Sequence, residues 1–175
     1  ISITFSYIDN AYVKQYFNLD ATQQSAQSFT LSVDAKDGGG RPTHNLDGTP
    51  ATYSTQYDVA KVEIFAYNSS GSQIGYKVTT QNLKNWGSSS NPGWSSGPGD
   101  NQHPWTTVTT TLTSADVQGG MSQVARIEVR LVSIEGSYWA GNYGVQFRTP
   151  TLTQDSSSTN LLYNPEFGIA PNSVK

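Results

Sequence analysis

The chain reads as an all-β sandwich, and three observations lead there. Apolar and polar residues alternate in short bursts along most of the sequence, the period of a half-buried strand. Those bursts are rich in β-branched and aromatic side chains, which suit a pleated surface. Clusters of Gly, Pro, Asn and Ser separate them, and the one helical candidate covers only residues 114–118, with Ser114 or Asp116 as its cap. That is too short for a helical layer, so two packed sheets built from seven to eight strands are expected.

Each strand has its own pattern. Residues 1–7 alternate Ile1, Ile3, Phe5 and Tyr7 with Ser and Thr, and residues 12–19 repeat the idea with Val13, Tyr16 and Phe17. Over residues 28–35, Phe29, Leu31 and Val33 share one face while Thr30, Ser32 and Asp34 share the other. Residues 59–67 put Val62, Ile64 and Ala66 on an apolar face, with Val59, Lys61, Glu63, Phe65 and Tyr67 opposite, and end at the turn signal Asn68-Ser69-Ser70-Gly71. Residues 106–112 are Thr-rich, residues 124–134 carry the strongest strand pattern, and residues 145–153 close the set.

A chain of 175 residues can bury a sufficient core as one domain without covalent cross-links, and there are no cysteines to make any. Charged residues are only 13% and the net charge is −3, so the basic stripe that a phosphate backbone requires is missing and nucleic acid is not an expected partner. Mean hydropathy is −0.49 despite this scarcity of charge, because the polarity comes from Ser, Thr, Asn and Gln. Such a neutral hydrogen-bonding surface suits sugars and protein fibres. No apolar stretch approaches a membrane span, so no membrane insertion is expected. The sequence opens at Ile1 without a leader, which is expected of a mature secreted product or of a fragment of something longer. The expected location is extracellular, secreted or displayed on a cell or virion surface.

Two long loops interrupt the strands. Residues 37–58 contain Gly38-Gly39-Gly40, Arg41-Pro42, His44 and Asp47-Gly48, and are expected to be a surface meander held by its own turns. Residues 85–104 contain Trp86 and Trp94 among small polar residues, with Trp105 just beyond, and these large rings need cover from the domain or from a ligand. The densest aromatic feature is Tyr138-Trp139-Ala140-Gly141-Asn142-Tyr143-Gly144, lying where a tight turn would suffice. Its flat rings suit stacking on the C–H faces of sugars. Trp139 can equally plug one end of the sandwich, as Trp is heavily buried in most folds.

Taken in order, Tyr12-Val13-Lys14-Gln15, Phe29 to Lys36, a strand at residues 62–67, Pro104-Trp105 before a Thr-rich strand, and Ile127-Glu128-Val129 before an aromatic loop resemble the galactose-binding-like jelly rolls, notably family 4 and 9 carbohydrate-binding modules. The aromatic loop is also similar to the Trp-Ala-Gly-X-Tyr-Gly loop of the F-box-associated domain of sugar-recognising ubiquitin-ligase subunits. The resemblance covers residues 12–153 and implies a jelly-roll β-sandwich that binds a glycan or polysaccharide without catalysis. It implies Tyr138 and Trp139 as stacking residues and Asn142 and Tyr143 as loop-shaping or polar partners. Trp86 and Trp94 are weaker candidates, chosen for their chemistry.

Modules of this class often hold a structural calcium near the last strand, but Phe147-Arg148-Thr149 stands where the carboxylate would be. Asp9, Asp37 and Asp47 are weak candidate ligands without a regular ligand spacing. The class also usually opens with Asn-Leu-Leu-X-Asn-Pro-X-Phe, which here lies near the C-terminus as Asn160 to Phe167. Residues 154–159 read as a linker before a terminal segment, 160–175, in which Leu161, Leu162, Tyr163 and Phe167 would form a strand. That strand can complete its own sandwich, begin a following repeat, or be donated to an identical neighbour. Donation would make the protein a structural subunit of an extracellular filament, adhesin or phage fibre, the alternative to glycan binding.

Enzymatic activity is not expected. The glutamates Glu63, Glu128, Glu135 and Glu166 are scattered, and Glu63 and Glu128 sit mid-strand beside Lys61 and Arg130, where cross-strand ion pairs are the expected role. His44 and His103 lie in loops beside prolines, with no nucleophile motif to join them.

Overall fold

The computed structural model of the chain describes residues 11–37, 42–45, 57–84, 105–134, 137–139 and 145–163. Nine strands are found among them: β1 (Ala11–Asn18), β2 (Ser28–Asp37), β3 (Pro42–Asn45), β4 (Tyr57–Tyr67), β5 (Gln73–Lys84), β6 (Thr106–Thr113), β7 (Arg126–Ile134), β8 (Ser137–Trp139) and β9 (Val145–Gln154). Every pairing is antiparallel. A four-stranded sheet runs β1-β7-β4-β5, a three-stranded sheet runs β6-β2-β9, and β3 with β8 forms a separate two-stranded ribbon. The two larger sheets make the expected β-sandwich.

Alternation places the core. Ala60, Val62, Ile64 and Ala66 of β4 and Ile127, Val129 and Leu131 of β7 point inward, against Phe29, Leu31, Val33 and Ala35 of β2. Val108 and Leu112 of β6 and Val145, Phe147 and Leu152 of β9 extend the same cluster. Each large side chain so buried contributes roughly 1.5–3 kcal/mol by removal from water. Because the period is two, the alternate residues of the same strands are committed to the outside.

The strand pattern over residues 59–67 ends as expected, in a turn where the Asn68 Oδ1 accepts from the backbone N–H groups of Ser70 at 3.1 Å and Ser72 at 2.9 Å. Gly71 there takes φ of 82°, a conformation that a Cβ would strain. The chain then returns as β5, a strand with no alternating apolar signal. Its inward positions Gly75, Lys77, Thr79 and Gln81 pair with Ala66, Ile64, Val62 and Ala60, and Leu83 alone among its inward side chains joins the core, so its register is set mainly by the turn and by β4. The short helical candidate is a 3-10 turn, Ser114–Asp116, whose Asp116 carboxylate accepts from the Thr113 N–H and hydroxyl at 2.9 and 2.7 Å.

At the other edge, β9 bulges opposite Val33, and Thr149 adopts φ of 49°. The bulge aims Arg148 at Asp34, with Nε 3.1 Å from Oδ2. Beyond it, residues 154–159 are tied to the sandwich at their start, since Gln154 ends β9 and the Asp155 Oδ1 accepts from the N–H groups of Gln27 and Ser28 at 2.8 and 2.9 Å. Asn160 then clasps β9. Its Oδ1 accepts from the Leu152 N–H at 2.9 Å, its amide donates to the Pro150 carbonyl at 3.1 Å, and the Leu161 N–H donates to the Leu152 carbonyl at 2.7 Å. Leu162 is buried in the core of its own chain, Leu161 packs against that core, and Tyr163 is exposed. Phe167 and residues 1–7 lie outside the described residues.

Candidate functional site

The outer face of the four-stranded sheet is built by the strand order β1-β7-β4-β5. β7 presents Arg126, Glu128 and Arg130 outward, because its alternate residues fill the core. On one side, β1 brings Tyr12, Lys14 and Tyr16 opposite Val132, Arg130 and Glu128. On the other, β4 brings Lys61, Glu63, Phe65 and Tyr67 opposite Val132, Arg130, Glu128 and Arg126. β5 adds Tyr76 beside Phe65.

Rings and guanidinium groups interleave across these strands. The Arg130 Cζ lies 4.3 Å from the Phe65 ring centre and 4.9 Å from that of Tyr12. The Arg126 Cζ lies 4.4 Å from Tyr67 and 5.8 Å from Tyr16. Phe65 and Tyr76 pack with centroids 4.8 Å apart. Each cation thus sits between two rings from the flanking strands, an arrangement worth about 0.5–1 kcal/mol per contact where water has access. The rings of Tyr12, Tyr16 and Tyr76 nevertheless remain 47%, 58% and 38% exposed.

Both carboxylates on the face are occupied by cations. The Glu128 Oε1 accepts from the Arg130 Nε at 2.7 Å and Nη2 at 2.6 Å, and Lys14 Nζ stands 3.5 Å from its Oε2. The Glu63 Oε1 receives the Tyr76 hydroxyl at 2.7 Å and Lys61 Nζ at 2.9 Å. The expected ion pairs are therefore present, but Lys61 with Glu63 and Glu128 with Arg130 pair along one strand, and only Lys14 reaches across. Burial, followed by the hydrogen bond to Glu63, pushes the Tyr76 phenol up to about 12. It stays a donor at physiological pH. Arg126 differs from Arg130: among the described residues no carboxylate pairs with it, and its buried Nε has no hydrogen-bond partner.

The aromatic heptapeptide begins as a strand. Tyr138 and Trp139 belong to β8, whose backbone pairs with β3 so that His44 stands opposite Tyr138 and Pro42 opposite Trp139. The first long loop is therefore not a self-contained meander, since part of it is joined to the aromatic segment. Asn142, Tyr143, Trp86 and Trp94 lie outside the described residues, as do Asp9 and Asp47, while Asp37 is the last residue of β2. Among the described residues, no three His, Asp or Glu side chains gather as a metal site. Where the class resemblance places a calcium carboxylate, Arg148 instead covers Trp105, with its Cζ 4.1 Å from the ring centre, and Lys36 Nζ lies 4.9 Å from the same ring. No helix among the described residues is long and apolar enough to cross a membrane.

Sequence reasoning did not single out Tyr12, Tyr16, Tyr76 or Arg126. The outward set of β4 was legible, but joining it to β1 and β5 requires knowing that β7 lies between β1 and β4. Neither a protein-family model nor a curated protein matches the sequence.

Proposed function

We propose that the protein is a non-catalytic, lectin-like carbohydrate-binding module of a secreted or surface-displayed protein. The observation that carries this reading is the set of half-exposed tyrosine rings, Tyr12, Tyr16 and Tyr76, on one outer sheet face. A ring held upright by a guanidinium on one side loses little freedom when a sugar covers its other side, so ordering costs are low. Lys14, Lys61 and the tyrosine hydroxyls surround the rings with groups suited to sugar hydroxyls. A non-catalytic role is supported by Glu63 and Glu128, each engaged by a lysine or arginine and so not free to act as an acid and base pair. Extracellular display is supported by the charge-poor, hydroxyl-rich composition. Tyr138 and Trp139 remain proposed contributors at the β3-β8 ribbon.

The alternative, assembly by strand exchange through residues 160–167, has less support. Leu162 fills the core of its own chain and Asn160 holds its own β9.

The test is a glycan array of neutral and acidic saccharides, followed by titration of the best ligand. Stacking on each ring contributes on the order of a kilocalorie. Tyr16→Ala and Tyr12→Ala are therefore each expected to weaken binding several-fold, and the double variant more than tenfold. Absence of any ligand on the array rejects the reading.

A further inference from the structure

We infer, resting on the carbohydrate reading above, that the ligand is an acidic polysaccharide whose sugar rings carry carboxylates, and that Arg126 is the group that receives the carboxylate. Among the described residues of the outer face of the four-stranded sheet, the cations Lys14, Lys61, Arg126 and Arg130 outnumber the carboxylates Glu63 and Glu128. This positive face belongs to a chain of net charge −3, so the charge is concentrated there against the overall balance. A polyanion is the complementary partner.

The excess is localised at one residue. Arg130 is neutralised by two hydrogen bonds to Glu128. Arg126 is built into the same kind of ring clamp, between Tyr67 and Tyr16, yet no carboxylate answers it among the described residues and its buried Nε lacks an acceptor. The Nε is shut away from solvent, but a half-buried guanidinium with no carboxylate beside it is costly unless something completes the hydrogen bonds of its outward nitrogens. Its planar fork takes a carboxylate with two parallel bonds, as it can the oxygens of a phosphate or sulfate, but a sulfate ester hangs on a rotating C–O–S arm and so does not fix the sugar ring. In a uronic acid the carboxylate is joined directly to the pyranose ring. Docking it at Arg126 brings that ring to the neighbouring Tyr16, which is 58% exposed. Tyr12, four residues from Tyr16 on β1, then offers the chain a second ring along that edge of the sheet, and Arg126 reads its charge.

The experiment titrates the wild-type chain with polygalacturonate, with its fully methyl-esterified form, with dextran sulfate and with polyglutamate at low salt. Polygalacturonate is expected to bind at least tenfold more tightly than the other three. Arg126→Gln is expected to lose that preference, and Arg126→Lys, which keeps the cation in its clamp but removes the fork, to lose most of it while melting like the wild type. Equal binding of the methyl ester, tighter binding of dextran sulfate, equal binding of polyglutamate, or unchanged binding by a folded Arg126→Lys variant each overturns the inference. A neutral polysaccharide bound in preference to all four leaves the lectin reading standing and removes only the acidic ligand. Failure of every saccharide removes both.

Discussion

Asp116 fixes a turn by accepting three hydrogen bonds, from Lys77 Nζ at 2.8 Å and from the Thr113 N–H and hydroxyl. The Lys77 bond, followed by the Thr113 backbone bond, lowers its carboxyl to about 2 from an ordinary 3.8. A depressed carboxyl stabilises the fold fully above its unfolded value, and that contribution is lost as pH falls from about 4 toward 2. Water reaches the pair, so the contribution is roughly 1 kcal/mol and not the full value of the shift. Asp116→Asn is expected to be less stable than the wild type by about that amount at neutral pH, with the gap closing near pH 2; urea denaturation at several pH values measures it. At the same scale, Arg126 and Arg130 show how identical side chains on one strand differ through their partners, since only Arg130 has Glu128.

The element least visible in the sequence is β5. β5 is an edge strand with Leu83 as its one inward core residue, so its inward Lys77, Thr79 and Gln81 hide the alternation that reveals β2, β4 and β7. Its one tight requirement is Gly75, which bridges Val117 and faces Ala66. A Cβ there would lie 2.9 Å from the Val117 Cγ2 and 3.1 Å from the Ala66 Cβ. Gly75→Ala is therefore expected to destabilise the protein by about 1–3 kcal/mol through overpacking. Thermal unfolding should show a melting temperature lower by several degrees, and an unchanged one would mean that β5 shifts freely against the 3-10 turn. The ribbon of β3 and β8 was hidden for another reason: neither strand carries a period, and they meet only because the fold brings two distant loops together.

For the whole molecule, closure of the sandwich depends on a segment that follows β9. Asp155 binds the start of β2, Asn160 spans the Pro150 and Leu152 backbone, and Leu162 enters the core. Truncation after Thr159 removes Leu161 and Leu162 and is expected to cost about 2–5 kcal/mol, the range for deleting a buried leucine. Sedimentation of the truncated chain should match that of the full chain. A full chain that associates and a truncated one that does not would instead assign the segment to a neighbouring subunit. The aromatic face also belongs to this scale, because Tyr16, Arg126 and Tyr67 come from three strands well separated in sequence.

The sequence by itself determined the sandwich class, the inward and outward sets of β2 and β4, the strand at β7, the turn at Asn68 and basic partners for both mid-strand glutamates, though not that Lys61 and Arg130 would pair along their own strands. Those follow from local chemistry, since a period of two in a strand with one buried face assigns every side chain to a side. It also made the Asn160 to Phe167 segment conspicuous without choosing among its pairings. Tertiary structure alone decided that β7 lies between β1 and β4, that β8 pairs with β3, and that Leu162 turns back into its own core. Strand order is a matter of long-range pairing. Alternation says which face a residue occupies, but only the neighbours chosen by the whole chain decide whether an outward arginine meets a glutamate, as Arg130 does, or among the described residues meets rings without a carboxylate, as Arg126 does.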